Sequence, residues 1–415
     1  MLRRRLGVGD AVAIGLSAMI GAGIFVVLGP AAAAAGGLLP LALLAAALVA
    51  FCNAYASARL ARRMPFAGGT YVYGRELLGP FWGHLAGWGF VVGKTASCGA
   101  MALTVGLYAW PQHARPVAAT AVLVLLALGY RGVQRPAWFA KGVVTVVLLV
   151  LGVVVLDPSL GPVAPPVEVS GSASAAGVLQ GAGLLFFAFA GYARIATLGE
   201  EVRDPDRTIS RAVPLALGVT LVVYAAVTWA VVRSLGIDRL ATEPAAIAAA
   251  AGDGPLGTAV RVAAVLAALG ALLALLLGVS RTVLAMARDR HLPAVLAAVH
   301  ARHGVPHRAE AAVALAVLVL VATVEVRHLI GFSSLGILVY YAVANAAAWR
   351  LGGRGRVLAA VGLAGCLVLA GALPPVSVVV GLGVLAVGAA AYLATRRQRP
   401  DAATYSGDGP TAPHS

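Results

Sequence analysis

The stretch GLSAMIGAGIFVVLGP (residues 15–30) carries four glycines inside an apolar run and ends in a proline. Glycine is about 1 kcal/mol poorer than alanine in a helix interior. The chain spends alanine freely next door, in AAAAAGG at 31–37. The cluster therefore marks a place where the backbone itself, rather than a side chain, is in demand.

The surroundings make that demand unusual. Of 415 residues, 60% are hydrophobic and 11% charged, whereas a soluble protein carries roughly a quarter charged residues. Mean hydropathy is +0.91. Apolar blocks recur almost to the end, and about 17–25 such residues suffice to span a bilayer as a helix. The sequence predicts an all-alpha polytopic membrane protein. MLRRR before the first block imitates a secretory signal, but the apolar stretch from Asp10 to Ala35 is longer than a signal core and further spans follow. It reads as the first transmembrane segment, uncleaved.

Segmentation gives 12 transmembrane helices, at about 10–35, 38–60, 80–110, 116–130, 136–156, 176–200, 212–232, 256–286, 309–325, 329–349, 357–373 and 375–394. The last two are divided only by Leu373-Pro374-Pro375. The transmembrane domain covers 1–394, and 395–415 reads as a disordered cytoplasmic tail. Arginines alternate with the crossings. Arg3–Arg5, Arg59–Arg75, Arg131–Arg135, Arg203–Arg211, Arg288–Arg308, Arg350–Arg356 and Arg396–Arg399 share one face, against Arg115, Arg233, Arg239, Arg261 and Arg327 on the other. The positive-inside rule then puts both termini in the cytoplasm of a multi-pass cell-membrane protein. Membrane topology accounts for the net charge of +15, and no aromatic-interleaved basic patch suggests nucleic acid.

Gly21-Ala22-Gly23 interrupts the first span. A second interruption falls in LLFFAFAGYARIATLGEE, around Gly191 of the sixth span. Unwound backbone at membrane depth frees N–H and C=O groups that need partners. Helix N-termini then suit an anionic group and free carbonyls a cation or ammonium, and paired interrupted helices point to a transport site. Close helix packing by small residues is the competing reading. Two clusters five spans apart, each flanked by aromatics (Phe25; Phe187, Phe189 and Tyr192), weigh toward a site.

Four stretches in order resemble a known family. IGAGIFVVLGP (20–30) is similar to the first-helix signature of the amino acid–polyamine–organocation (APC) superfamily of permeases. FFAFAGYARIATLGEEVRDPDRTISRAV (186–213) resembles its sixth helix and following loop. GVSRTVLAMARDRHLPAVLAAVH (278–300) is similar to the end of its eighth helix, and PFAGGTYVYGRELLGPFWGHLAGW (65–88) to the approach to its third. The resemblance implies a LeuT-like five-plus-five inverted repeat with discontinuous helices 1 and 6. The repeats would cover about 10–156 and 176–349, with 357–394 added as two extra helices. It further implies alternating access around a central site. The substrate carboxylate would meet N–H groups at Ala22, Gly23 and Ile24, and its ammonium carbonyls near Ile20 and at Phe187, Ala188 and Ala190. Phe187, four residues before Gly191, takes the place of an aromatic lid.

This chain departs from the family at two points. It reads Gly191-Tyr192-Ala193 where an acid often follows the aromatic, and Val147 where proton-coupled relatives often have a lysine; Lys141 lies nearer the span's end. Lys94, about fourteen residues into the third span, is the intramembrane charge most marked for function. Desolvation would let it change protonation state and couple to protons; a permanently bonded or snorkelling structural lysine is the alternative. Arg194 follows the helix-six break and keeps its proton, so gating, packing and snorkelling are open to it. Ser280 of the eighth span could face an ion site near helix one or join helices. Beyond Asp10 no carboxylate lies deep in a span, Glu310 being placed at a span's end, so a neutral amino acid is expected.

Together these point to a secondary active transporter of amino acids, proton-coupled symport by alternating access, with an amino acid/amine exchanger or a carrier of another small organic amine as the alternative. An intramembrane enzyme finds no nucleophile–base pair. Cys52, Cys98 and Cys366 read as core residues, and His84, His113, His291, His300, His303 and His307 are too loosely spaced for a metal site. No cofactor and no catalytic residue are expected, and the partners are the substrate and the lipid bilayer.

Overall fold

A helix satisfies its own backbone in hydrocarbon, and the apolar blocks fold accordingly. The computed structural model describes residues 7–21, 23–64, 69–132, 137–157, 174–192, 195, 202, 204–353 and 355–397. In the first half lie α1 (Val8–Met19), α2 (Gly23–Ala35), α3 (Leu39–Arg63), α4 (Thr70–Leu78), α5 (Pro80–Ala109), α6 (Ala114–Tyr130) and α7 (Ala137–Leu156). The second half holds α8 (Ala175–Phe189), α9 (Pro205–Thr242), α10 (Ala246–Ala251), α11 (Pro255–Arg288), α12 (His307–Thr323), α13 (Val326–Arg350), α14 (Arg356–Ala372) and α15 (Pro375–Arg397). Among the described residues nine helical stretches are long and apolar enough to cross a bilayer, the first joining α2 and α3 through a 3-10 turn at Gly36–Leu38. The chain is an all-α polytopic membrane protein.

The first span is two helices, divided where the glycine cluster interrupts it. Other elements differ from the sequence expectation. The loop before α5 contains the short helix α4, and the seventh span is much longer than 212–232. It begins at Pro205, where Asp204 accepts a hydrogen bond from the Arg207 N–H, and ends at Thr242 after a bend at Gly236, whose φ is 73°. Pro at the first helical position and an Asp cap before it are start signals that the apolar window alone overlooks. The tail 398–415 lies outside the described residues.

Centrally, α5 packs on α13 and α11. Small residues permit the close crossing: a Cβ on Gly93 would stand 3.2 Å from Gly336 Cα, and Ser97 and Ser333 share a 2.6 Å hydrogen bond. Backbones that approach this closely are how helices associate where lipid removes the hydrophobic drive. Around this pair, α8 lies on α2 and α3, α9 on α1, α2 and α3, and α7 on α11 and α1. Outward faces are aliphatic, as at Leu149 and Leu156 of α7 (66% and 81% exposed).

Candidate substrate site at two helix breaks

The first break begins when α1 stops at Met19, Ile20 closing it with a 2.7 Å N–H bond to Leu16 O. Gly21 follows, Ala22 lies outside the described residues, and α2 opens at Gly23. The first N–H groups of a helix have no intrahelical acceptor. Among the described residues no acceptor outside the helix meets those of Gly23 and Ile24. The second break follows α8, which ends at Phe189 and passes into a 3-10 turn over Ala190–Tyr192.

The two breaks are packed against each other. A Cβ on Gly23 would lie 2.9 Å from both Cα and Cβ of Ala188, and one on Gly191 would run into Ala18 O and lie 2.7 Å from Met19 N. Glycine is thus required at both places by backbone-to-backbone contact. The packing reading and the site reading describe the same residues, since the contact holds the freed groups of both helices side by side. A Cβ on Gly21 would face Ala271 of α11 at 3.2 Å.

Two tyrosines tie this junction. Tyr224 of α9 donates to Met19 O at 2.5 Å, and its hydroxyl is 3.3 Å from Ala188 O, so one side chain bridges the carbonyl ends of both broken helices. Tyr108 of α5 donates to Phe25 O at 2.8 Å, its ring edge-on to that of Phe25. Ile20, Ile24, Phe187, Ala188 and Ala190 are all buried around the junction. Sequence reasoning misses both tyrosines. Each stands alone in an aliphatic run, and a buried tyrosine hydroxyl needs a partner, which is the signal that could have found them.

The other residues expected from the sequence sit apart. On α5, Gly87, Lys94 and Tyr108 stand seven and then fourteen residues apart and share a face. Gly87 meets Met286 of α11 and Tyr108 meets α2. Lys94 is 9% exposed and, among the described residues, has no hydrogen bond or ion pair. Counting seven residues along α5 and six along α11 from the Gly87–Met286 contact brings Lys94 and Ser280 to about the same height, about 10 Å away. Ser280 is fully buried and donates to Leu276 O of its own helix at 2.6 Å. The part of α11 that touches the break is Ala267–Ala271, about 14 Å along the helix from Ser280. Thr95 and Ser97 spend their hydroxyls on Val91 O and Ser333. Arg194 lies outside the described residues.

A cavity of about 10 Å³, the lower limit for one water, adjoins the first break and is lined by Ser17, Ile20, Gly21, Val143, Val144, Val147 and Ala267. Val147 therefore does face the break, as an apolar residue. Lys141, six residues earlier, instead pairs with Asp10 at 2.5 Å, joining the start of α7 to the start of α1. Asp10 also caps α1 by accepting from the Gly7 N–H. Glu310, expected at a span's end, is there but 5% exposed, and neither carboxylate oxygen has a hydrogen-bond partner among the described residues. It adjoins Gly129 of α6 rather than the breaks. Outside the spans, Tyr71 of α4 donates to Asp289 at 2.6 Å; burial and that carboxylate push its hydroxyl pKa well above the ordinary tyrosine range, so it stays protonated. Among the described residues no group of three or more His, Cys, Asp or Glu is arranged for a metal ion.

Comparison with known proteins gives this geometry its family. The model of a family described as amino acid permease matches residues 6–403. An uncharacterized transporter of Mycobacterium tuberculosis is 59% identical over all of this chain and 96% of its own length. Cationic amino acid transporter 2 of Arabidopsis thaliana is 30% identical over 82% of this chain and 58% of its own. The branched-chain amino acid permease BcaP of Bacillus subtilis is 25% identical over 74% and 72%. With a match that covers nearly its whole length, the chain belongs to the amino acid permease family of the APC superfamily, secondary transporters that carry amino acids across membranes.

Proposed function

We propose that the protein imports neutral amino acids in symport with protons, by alternating access, across a cell membrane with both termini in the cytoplasm. One observation carries the reading: the free N–H end of α2 and the carbonyl ends of α1 and α8 converge on one junction. A zwitterion needs an anion site and a cation site a few ångströms apart, and helix ends supply both without a charged side chain. The carboxylate is assigned to the N–H groups of Ala22, Gly23 and Ile24. The ammonium is assigned to carbonyls at Ile20, Phe187, Ala188 and Ala190, with Gly191 admitting the close approach and Phe187 as lid.

The neighbour relations support twelve crossings built as a five-plus-five inverted repeat. Helix one is taken as α1 with α2, and helix six as α8 with its 3-10 turn. Exchanging each helix for the one five places on then maps observed neighbours onto observed neighbours. Three–ten becomes eight–five and two–six becomes seven–one, while one–six, two–seven, three–eight and four–nine map onto themselves. The arginine alternation supports the orientation.

For the substrate, the relatives' names include both cationic and branched-chain amino acids. Among the described residues the buried acid is Glu310, away from the breaks, so nothing there would hold a distal positive charge. A second reading, exchange without proton flux, is favoured by Val147, which leaves the cavity at the break without an ionisable side chain. Lys94 is the coupling residue on the first reading and a structural one on the second.

Uptake of a labelled amino-acid panel into proteoliposomes, with and without an inward pH gradient, separates them. Symport gives gradient-driven accumulation of neutral amino acids, and Lys94→Ala should bring the accumulation ratio down to about one. Uptake indifferent to the gradient, accelerated by internal amino acid and unaltered by Lys94→Ala, would establish exchange.

A further inference from the structure

On the outside of the bundle, a hollow of about 320 Å³ lies between α3 and α9. Its walls come from residues 44–51 of the one and 214–221 of the other, and Phe189, the buried last residue of α8, forms its floor. Every described residue that lines it is apolar. The hollow owes its width to a missing side chain. A Cβ on Gly218 would meet nothing within 4 Å, whereas those on Gly23, Gly93 and Gly191 would each be pressed against backbone atoms. Glycine is among the poorest helix residues, and at 218 no neighbour requires it.

The depth of the hollow identifies what fills it. Residues 44–51 lie about 8–18 Å along the 25-residue helix α3, and 214–221 about 14–24 Å along α9. The hydrocarbon core of a bilayer is about 30 Å thick, so the hollow opens among acyl chains, away from headgroups and water. Leu44, Leu48 and Phe51 on its rim are exposed, as are Leu215 and Val222 beside it. At roughly 30 Å³ for a water-sized group, it has room for about ten methylenes. A helix with its side chains is about 10–12 Å across, so less than one turn of a helix would fit the same volume. An interface between two copies would moreover need roughly 20–30 residues a side, against the nine that line this hollow.

We infer that the hollow is a binding site for one acyl chain of a bilayer phospholipid, lying along α3 and α9 and backing the ring of Phe189. Hydrocarbon gains little by leaving other hydrocarbon. The preference comes from contact, because a chain in a concave wall touches protein on several sides and a chain on a convex face on one. Aromatic packing connects the site to the breaks. The rings of Phe189 and Tyr224 stand 5.1 Å apart, and Tyr224 donates to Met19 O. The lipid thus completes the outer wall of the junction where the two broken helices meet. The inference needs the protein to lie in a bilayer and is independent of which substrate it carries.

The test is photolabelling in proteoliposomes doped with a phosphatidylglycerol that carries a diazirine midway along one chain. Label is mapped to peptides of wild type and of Gly218→Leu. In wild type, segments 44–51 and 214–221 should take about fivefold more label than the exposed face of α7 at 149–156, the modest preference expected of dispersion contacts alone. Gly218→Leu puts a side chain into open space and replaces a poor helix former. Label in the hollow should then fall to the level on α7, with label on α7 unchanged. Equal labelling of both faces in wild type, or labelling of the hollow that survives Gly218→Leu, would overturn the site and leave only lipid that coats the whole surface. A hollow without label, together with Gly218→Cys oxidising to a dimer, would give it to a second copy and overturn the inference equally. Should Gly218→Leu not insert, Gly218→Val makes the same comparison.

Discussion

Gly191→Ala is expected to abolish amino-acid uptake while the protein still inserts in the membrane. The added methyl would run into Ala18 O and lie 2.7 Å from Met19 N, and both are backbone atoms that no rotamer change can move. Either the two breaks separate or helix six shifts, and overpacking of this kind costs about 1–3 kcal/mol, so uptake should fall about 100-fold. Gly23→Ala supplies the contrast. There the new methyl meets the Ala188 side chain as well as its Cα, each at 2.9 Å, so adding Ala188→Gly should restore part of the activity. No side-chain truncation opposite Gly191 should do so. Membrane insertion and monodispersity, measured with uptake, separate a displaced site from a failed fold.

The second large effect is expected of Tyr224→Phe. Its hydroxyl is the partner of Met19 O and the near neighbour of Ala188 O, at 2.5 and 3.3 Å. Phenylalanine keeps the ring, including its contact with Phe189 at 5.1 Å, and removes the hydroxyl that bridges both broken helices. A buried carbonyl left unpaired costs roughly 1–3 kcal/mol, so a ten- to hundredfold loss of maximal uptake is expected. Because the ammonium is assigned to carbonyls of this same junction, apparent affinity should fall as well. Uptake kinetics of the variant beside wild type check both expectations.

The breaks are legible in the sequence because glycine at 21, 23 and 191 is informative wherever it interrupts an apolar helix. What the glycines face is not legible. The resemblance implies free carbonyls near Ile20 and at Ala188, but the hydroxyl that meets Met19 O and Ala188 O belongs to a tyrosine 205 residues beyond the one and 36 beyond the other. No local pattern encodes that separation. The helices α4 and α10 escape a membrane-length window because they are nine and six residues long. Glu310 reads as an interfacial acid from its place at the start of α12, yet it is buried, its carboxylate facing Gly129 of α6. Ser280 reads as a candidate beside helix one, but the register of α11 against the break is set by Ala267 and Ala271. Polar residues within spans are easy to find. Which neighbour each one meets is a tertiary fact.

The central claim is that backbone groups at the paired breaks hold both charged ends of an amino acid. Competition against uptake of a labelled neutral amino acid tests it most directly. The competitors are the unlabelled amino acid, the amine lacking its carboxylate, the acid lacking its ammonium, and the methyl ester. If the α2 N–H groups and the carbonyls of α1 and α8 form the site, only the intact zwitterion competes well. Each analogue is then weaker by about 10-fold or more for every charge-assisted hydrogen bond it cannot make. Equal competition by the amine or by the ester would show that the carboxylate is not held at Gly23 and Ile24, and would contradict the account.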